Sequence, residues 1–506
     1  MGFFTELEKA ENTTHTENGD LAYRHISKAG DVRNNLEFFG LGGAMRGKTV
    51  STKDMFGRAF LENEELAVEN LFYLRDCRGG KGERDLFRVC LDHIANVAPE
   101  KTGALLPFVL EYGRGDDLLG LVAKLSTRKT ACRFICSRIK EDMDSFEKGK
   151  PVSILAKWLP KPNATAKHKR ELARIIAKAM GMKEGEYRRV ISGLRSRLNL
   201  VETALTEKKQ VDYPSVPSQA MLKHTGFASY HSKNEINAFP RTGKAGYIAY
   251  RESLAQGKNK VNVTTLNPVQ VYKRAFSDMV LSQAQWNEIE KRVPHTDKRI
   301  IIVRDGSGSM TGDPLDIATS LTILAAGSLT GEFKDKFITF SHSPRLVDLS
   351  GCGSLADKRN ICEREAECSN TNIEATYDLI LETSKHCSPE DYITNVVVIS
   401  DMQFDMGTAE MYPYRPLKSA EHRSTFAAAK KKFEEAGIPF PVMTYWNVNA
   451  RALSFPTDTI DGVQFVSGYS DAIYADILRN GSVDAVEFMK KTLSRYEKCA
   501  EAWKAA

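Results

Sequence analysis

The sequence predicts two folds in one chain, an α-helical repeat region followed by an open, mostly parallel α/β sheet. Three observations carry this. From about Asp54 to Leu205, apolar residues recur at helical spacing in segments of about 8–15 residues, joined by short turns marked by Gly or Pro. From Arg299 onward, short continuous apolar runs alternate with helical segments, the pattern of strands buried on both faces. At 506 residues the chain is also too long for one core. The boundaries expected are an N-terminal arm over 1–50, a HEAT-like helical repeat domain over 51–295, and an α/β domain over 296–506.

Residues 1–50 are polar and then glycine-rich (Gly40, Gly42, Gly43, Gly47), which predicts a loosely structured arm with a short ordered segment. Phe60 to Leu74 places Phe60, Ala67, Leu71 and Leu74 on one helical face, with Asn63 interrupting it. Leu86–Val97, Leu105–Tyr112, Leu119–Leu125, Thr130–Lys140, Lys167–Met180 and Tyr187–Leu200 follow as further helices. Residues 206–295 carry several prolines and predict helices over Lys244–Leu254 and Val269–Ile289. Beyond them, strands are expected over Arg299–Val303, Lys336–Phe340, Arg345–Leu349, Asn395–Ser400, Pro441–Trp446 and Val463–Val466. Helices are expected over Leu315–Leu329, Ile373–Ser384, Glu421–Ala436 and Val483–Lys504.

Hydrophobic content of 42% and charged content of 27% are those of an ordinary globular protein. No stretch is apolar for long enough to span a membrane, and Met1 to Lys9 lacks the basic and apolar regions of a secretory signal. Glu6 stands where a myristoylation pattern needs Ser or Thr. The nine cysteines are scattered. Cys352, Cys362, Cys368 and Cys387 match no common zinc spacing, so free thiols of a reducing cytoplasm are expected. Charge is concentrated: residues 161–198 hold eleven Lys or Arg against three Glu, while the whole chain carries +6. Such a block in a near-neutral protein predicts a surface for a polyanion.

The segment Arg299-Ile-Ile-Ile-Val-Arg-Asp-Gly-Ser-Gly-Ser-Met310 is a buried strand that delivers Asp305, Ser307 and Ser309 into one loop. All three offer oxygen, which suits Mg²⁺, Ca²⁺ or Mn²⁺ and disfavours Zn²⁺. They cannot fill a shell alone. Further oxygens are available from Asn370-Thr371-Asn372, in a loop before a helix, and from Asp401, at the end of a second apolar strand. Ligand sites of parallel sheets lie at the carboxyl ends of strands, where Asp305 and Asp401 both fall. Asp313, Asp316 and Asp405 read as helix-start and loop residues. No Walker, G-x-S-x-G or H-E-x-x-H motif is present, and no general base is identifiable.

In the basic block, Lys167, Arg170, Arg174 and Lys178 form one helical stripe, with Leu172, Ile175, Ile176 and Ala179 opposite. Arg188, Arg189, Arg195 and Arg197 follow. The loop Arg78-Gly-Gly-Lys-Gly-Glu-Arg84 reads equally as a phosphate contact through Arg78, Lys81 and Arg84 or as a turn between helices. The alternative for the whole block is an ordinary solvated face. Tyr187, Tyr213, Phe227 and Tyr230 lie nearby and read as core.

Asp305-Gly-Ser-Gly-Ser309, then Thr371, then Asp401 resembles the metal-ion-dependent adhesion site of von Willebrand factor A domains, a Rossmann-like fold. The resemblance covers about Lys298 to Ala506. It implies that Ser307, Ser309 and Thr371 approach an ion, foremost Mg²⁺, that Asp305 and Asp401 act directly or through water, and that one position is left for a partner's carboxylate. Arg304 departs from the apolar residue usual before the aspartate, and Ser369-Asn-Thr-Asn372 lacks the usual glycine pair. Tyr73-Leu-Arg-Asp-Cys-Arg-Gly-Gly-Lys-Gly-Glu-Arg84, Tyr112-Gly-Arg-Gly-Asp-Asp-Leu118 and Leu155-Ala-Lys-Trp-Leu-Pro160 resemble the TROVE (Ro RNA-binding) proteins and, more nearly, an uncharacterised TROVE-like family of the same two-part layout. In Ro-type proteins the helical repeats close into a ring that takes single-stranded RNA ends, and a basic outer face takes structured small RNA. The expectation is a non-catalytic, cytoplasmic RNA-binding protein whose A domain closes the scaffold and docks a partner. A metal-dependent protein-interaction scaffold without RNA is the alternative, and a metal-dependent hydrolase the remote one.

Overall fold

The computed structural model describes residues 3–198, 200–207, 209–224, 244–340, 343–365, 371–405 and 425–506. It divides into two compact units, neither continuous in sequence. Met1–Asn63 and Leu266–Ser494 form one; Glu64–Thr265 and Arg495–Ala506 form the other. The boundaries expected after residues 50 and 295 therefore move, and the last helix leaves the α/β unit.

In the first unit, β1 (Thr13–His15) and β2 (Leu21–Tyr23) make an antiparallel hairpin. A six-stranded sheet is built from β3 (Ile300–Asp305), β4 (Lys336–Phe340), β5 (Arg345–Asp348), β6 (Asn395–Ser400), β7 (Val442–Asn447) and β8 (Val463–Ser467). The order is β5-β4-β3-β6-β7-β8, parallel throughout except for β5 at one edge. Ile302 and Val303 on β3 and Val396 to Ile399 on β6 are fully buried, because helices such as Asp313–Ser328 and Ile373–Ser384 connect the strands and cover the sheet. The chain winds outward in both directions from the adjacent β3 and β6, which puts the topological switch point, and the crevice it opens, at their carboxyl ends. The architecture is thus α-helical plus α/β, as the sequence predicts. The helices Leu355–Arg364 and Asp471–Asn480 were not expected, and residues 421–424 of the predicted Glu421–Ala436 helix lie outside the described residues.

The glycine-rich N-terminal region is packed rather than loose. Every residue from Asn35 to Leu41 in the helix Arg33–Leu41 is buried. A Cβ at Gly40 would stand 2.9 Å from Phe465 Cβ on β8, so glycine here permits close approach of helix to strand. Gly43 N–H donates to Ser467 Oγ (2.9 Å). The Glu37 carboxylate, itself buried, accepts from the Ile26 N–H at 3.1 Å and lies 3.2 Å from His25 Nδ1.

The second unit is helical over its described residues, including Glu64–Arg75, Asp85–Val97, Leu106–Tyr112, Leu125–Glu147, Lys167–Ala179 and Glu184–Ser196. The single Phe60–Leu74 segment is two helices, broken at Asn63, which is extended (φ −156°, ψ 103°) and is where the first unit ends. The C-terminal helix Glu497–Ala505 lies against Glu64–Arg75, with the Trp503 indole donating to Glu64 (2.8 Å). The three motif segments meet in one knot. Asp117 accepts from Arg75 (2.9 Å), Arg88 (2.7 Å) and the Arg114 N–H (2.9 Å). Asp116 pairs with Arg114 (2.6 Å) and Arg88 (2.9 Å), and the Arg114 guanidinium lies 4.2 Å above the Trp158 ring.

Candidate metal centre and basic helical face

β3 ends in Asp305, fully buried. Its two oxygens accept from Ser307 N–H (2.8 Å) and Ser400 Oγ (2.5 Å). The Ser307 and Ser309 hydroxyls stand 3.0 Å apart, and Ser309 lies near enough to Asp401 to pull its carboxyl, raised by burial, down in part. Asp401 follows β6 with no exposed surface. One of its oxygens accepts from Gln403 N–H (3.3 Å), while Oδ2 is buried and without a hydrogen-bond partner among the described residues. Thr371, also buried, is fixed by Asp405: its N–H donates to the Asp405 carboxylate (2.7 Å), and its carbonyl accepts from Asp405 N–H (2.9 Å). Asp405 is therefore a loop residue, as read from the sequence, and one that positions a candidate ligand. Asp313 and Asp316 sit in the first turn of their helix and pair with Lys273.

Burial pushes the Asp305 carboxyl up to about 7, and the neighbouring Asp401 charge adds to this. Burial likewise raises Asp401. Two buried acids side by side, one with an unpartnered oxygen, form an environment short of positive charge. A divalent cation would supply that charge, and the donor set is all oxygen, so the residues fit a hard ion. Among the described residues no three His, Cys, Asp or Glu side chains gather. The eight described cysteines are free thiols, and Cys368 lies outside the described residues, as do Ser369 and Asn370 of the threonine loop.

Arg304 serves the fold. It is completely buried, and its guanidinium donates to the Cys362 and Glu365 carbonyls (3.2 and 3.3 Å) and to the Thr319 and Thr339 hydroxyls (3.3 and 3.4 Å). One residue along a strand reverses the side chain, so Arg304 and Asp305 point to opposite faces of the sheet.

On the helix Lys167–Ala179 the buried positions are Ala173, Ile176 and Ala177, while Ala179 is exposed, contrary to expectation. Lys167, Arg174 and Lys178 are exposed and Arg170 half-buried. The acid missed in the sequence is Glu184, ten residues ahead of Arg174 and 2.9 Å from it. Arg170 donates to the carbonyls of Ala164 (2.9 Å) and Thr165 (2.6 Å). On the helix Glu184–Ser196, Arg188 and Arg189 are exposed, as is Arg197 just beyond it, 5.4 Å from the Phe146 ring. Arg195 is turned inward. It donates to the carbonyls of Ala156, Lys157 and Leu159 (2.8, 3.0 and 2.7 Å), the open end of a short helix, and so does not present its charge outward.

Lys81 is a second correction. It is 2% exposed, burial pulls its ammonium down to about 7, and its Nζ lies 5.4 Å from the Tyr73 ring centre. The cause is the tight turn around it: a Cβ at Gly80 would stand 2.2 Å from the Tyr73 carbonyl oxygen. The neighbouring Arg78 donates to the Glu111 carbonyl (3.1 Å), and Arg84 pairs with Asp85 (3.0 Å), both on the surface. Tyr187 and Tyr213 are core residues, as expected, whereas Phe227 and Tyr230 lie outside the described residues.

No helix among the described residues is long and apolar enough to cross a membrane. A family described as a domain of unknown function, DUF7788, matches residues 299–505. The chain is similar to the uncharacterized protein L728 of Acanthamoeba polyphaga mimivirus, 26% identical over 524 aligned residues that cover 96% of this chain and 88% of the relative. Among solved structures it is similar to the Ro (RSR) protein of Deinococcus radiodurans, at 12% identity and a TM-score of 0.39, covering 92% of this chain and 99% of that one.

Proposed function

We propose that the chain is a non-catalytic RNA-binding protein whose sheet unit is a von Willebrand A-type domain holding one divalent cation, Mg²⁺ first, with Mn²⁺ and Ca²⁺ as alternatives. The observation that carries the metal centre is the unpartnered, buried Asp401 Oδ2 beside the buried Asp305, with Ser307, Ser309 and Thr371 on adjoining loops. The ion, when bound, offers a Lewis-acidic position that attracts a carboxylate of a protein partner. Ser307 and Ser309 face it with neutral oxygens, and Asp405 holds the threonine in place.

The helical unit's part in this reading is phosphate neutralisation. The exposed Lys167, Lys178, Arg188 and Arg189 lie on consecutive helices, and Lys161 nearby is pulled down by burial and then by Arg195 and Arg188, a sign of concentrated positive charge. Binding of this kind is salt-dependent and weakly sequence-specific, and it selects single-stranded ends or structured small RNA by access and shape. Changing Lys167, Lys178, Arg188 and Arg189 together to Gln should weaken RNA binding and reduce its salt slope by roughly 3, at about 0.7 per phosphate contact on single strands. An unchanged slope in a folded variant would leave the face a solvated one.

A second reading, a metal-dependent interaction scaffold without RNA, draws on the engagement of Arg170, Arg174 and Arg195 by the chain's own carbonyls and acids. Filter binding of the wild-type protein to RNA separates the two.

A further inference from the structure

We propose that the turn between β1 and β2 is a built-in occupant of the metal centre, with Glu17 as the acid that an outside carboxylate must displace. This rests on the metal reading given above. The tip of the hairpin, Thr16 to Asp20, sits on the same loops that carry the candidate ligands. Asn18 donates through one amide nitrogen to Thr371 Oγ1 (3.1 Å) and to the Gln403 carbonyl (2.7 Å). Glu17 N–H donates to the Gln403 side-chain oxygen (2.8 Å), and Thr16 Oγ1 donates to the Phe404 carbonyl (2.5 Å). Gln403 is also the residue whose N–H reaches the Asp401 carboxylate. Gly19 bridges to Asp405, the residue that fixes Thr371.

The turn is shaped to be presented in this way. Gly19 takes φ 95°, and Thr16 N–H donates to the Asp20 carbonyl (2.9 Å) while Asp20 N–H donates to Thr16 Oγ1 (3.0 Å). The buried Asp20 carboxyl anchors the base of the turn through Thr425 Oγ1 (2.8 Å). The Glu17 side chain is left exposed, 3.4 Å from Arg451.

A tethered carboxylate has an effective concentration in the millimolar range, so it fills an open coordination position ahead of free acids in solution. Arg451, with which Glu17 already pairs, holds the carboxylate whenever it is off the ion. A protein partner therefore has to outcompete Glu17, which restricts docking to acids presented on a matching surface. Asn18 is a positioning residue: it ties the turn to Thr371 and does not itself supply the acid.

The test uses full-length wild type, Glu17→Gln and Asn18→Ala, with Mg²⁺ alone as the probe. Calorimetry reads affinity, and hydrogen exchange reads the amides of residues 16–20 with and without the ion. The proposal expects Glu17→Gln to bind Mg²⁺ roughly tenfold more weakly, about the loss of one charged contact. It expects Mg²⁺ to slow exchange across the turn in the wild type and much less in Glu17→Gln and Asn18→Ala. If all three proteins bind Mg²⁺ equally and exchange in the turn ignores the ion, the hairpin is only structural and the proposal falls while the metal centre stands. If the wild type binds no Mg²⁺, the metal reading falls and takes this one with it.

Discussion

The buried Asp401 and Asp305 are brought together because Asp305 ends β3, Asp401 directly follows β6, and the two strands are neighbours at the switch point of the sheet. The same buried setting gives opposite results at other ionisable groups. Arg304 is hydrogen-bonded by carbonyls and hydroxyls that take the place of water, and Asp117 is neutralised by two arginines. Among the described residues Glu69 has no such relief. Burial first, then the charges of Glu497 and Glu65, push its carboxyl up to about 7. A carboxyl raised in the folded state holds its proton there more tightly than in the unfolded chain. It therefore subtracts stability as pH rises from its ordinary value of 4.5 to about 7. Glu69→Gln should raise the melting temperature more at pH 8 than at pH 4.5, and an equal shift at both would show that Glu69 titrates normally. That Asp305, Ser307, Ser309 and Asp401 gather at the ends of two neighbouring strands was legible in the sequence, because acids and hydroxyls clustered just past apolar runs mark strand ends. Lys81 was not, since its burial follows from a turn closed by Gly80, and nothing in Gly-Gly-Lys-Gly tells a closed turn from an open loop.

Among the elements, all six strands of the main sheet stand within two residues of their predicted ends, because β-branched runs bounded by polar residues mark both limits. The helix Arg33–Leu41 was missed. Its Asn, Glu and Gly residues dilute the apolar pattern, and only tertiary contact gives them partners: Asn35 donates to the Ala59 carbonyl (2.8 Å) and to Glu62 (3.0 Å). The glycines that read as looseness are the condition for its contact with β8. Gly40→Ala should cost about 1–3 kcal/mol, as overpacking against Phe465 does in a tight core, measured by urea denaturation. A neutral result would mean that helix and strand separate freely. The basic helix shows the limit of projection in the other direction. Its polar face was found, but Glu184 lies on the next helix, and pairing across helices is invisible to a one-helix wheel.

For the whole molecule, each unit is completed by residues remote in sequence: Met1–Asn63 joins Leu266–Ser494, and Arg495–Ala506 joins Glu64–Thr265. Sequence periodicity marks elements but carries no information on which distant segment fills which gap, so the two fold types were legible and their boundaries were not. The discontinuity has a structural consequence, because the first unit's N-terminal hairpin reaches the loops of its own candidate metal centre. Everything proposed for that unit depends on an ion at Asp305. The most direct test is calorimetric titration of Mg²⁺ and Mn²⁺ into the full-length protein beside Asp305→Ala, with circular dichroism of both. The proposed metal centre predicts one ion bound per chain by the wild type and none by a folded Asp305→Ala, whereas a wild type that binds neither ion, or a variant that binds as well, would contradict it.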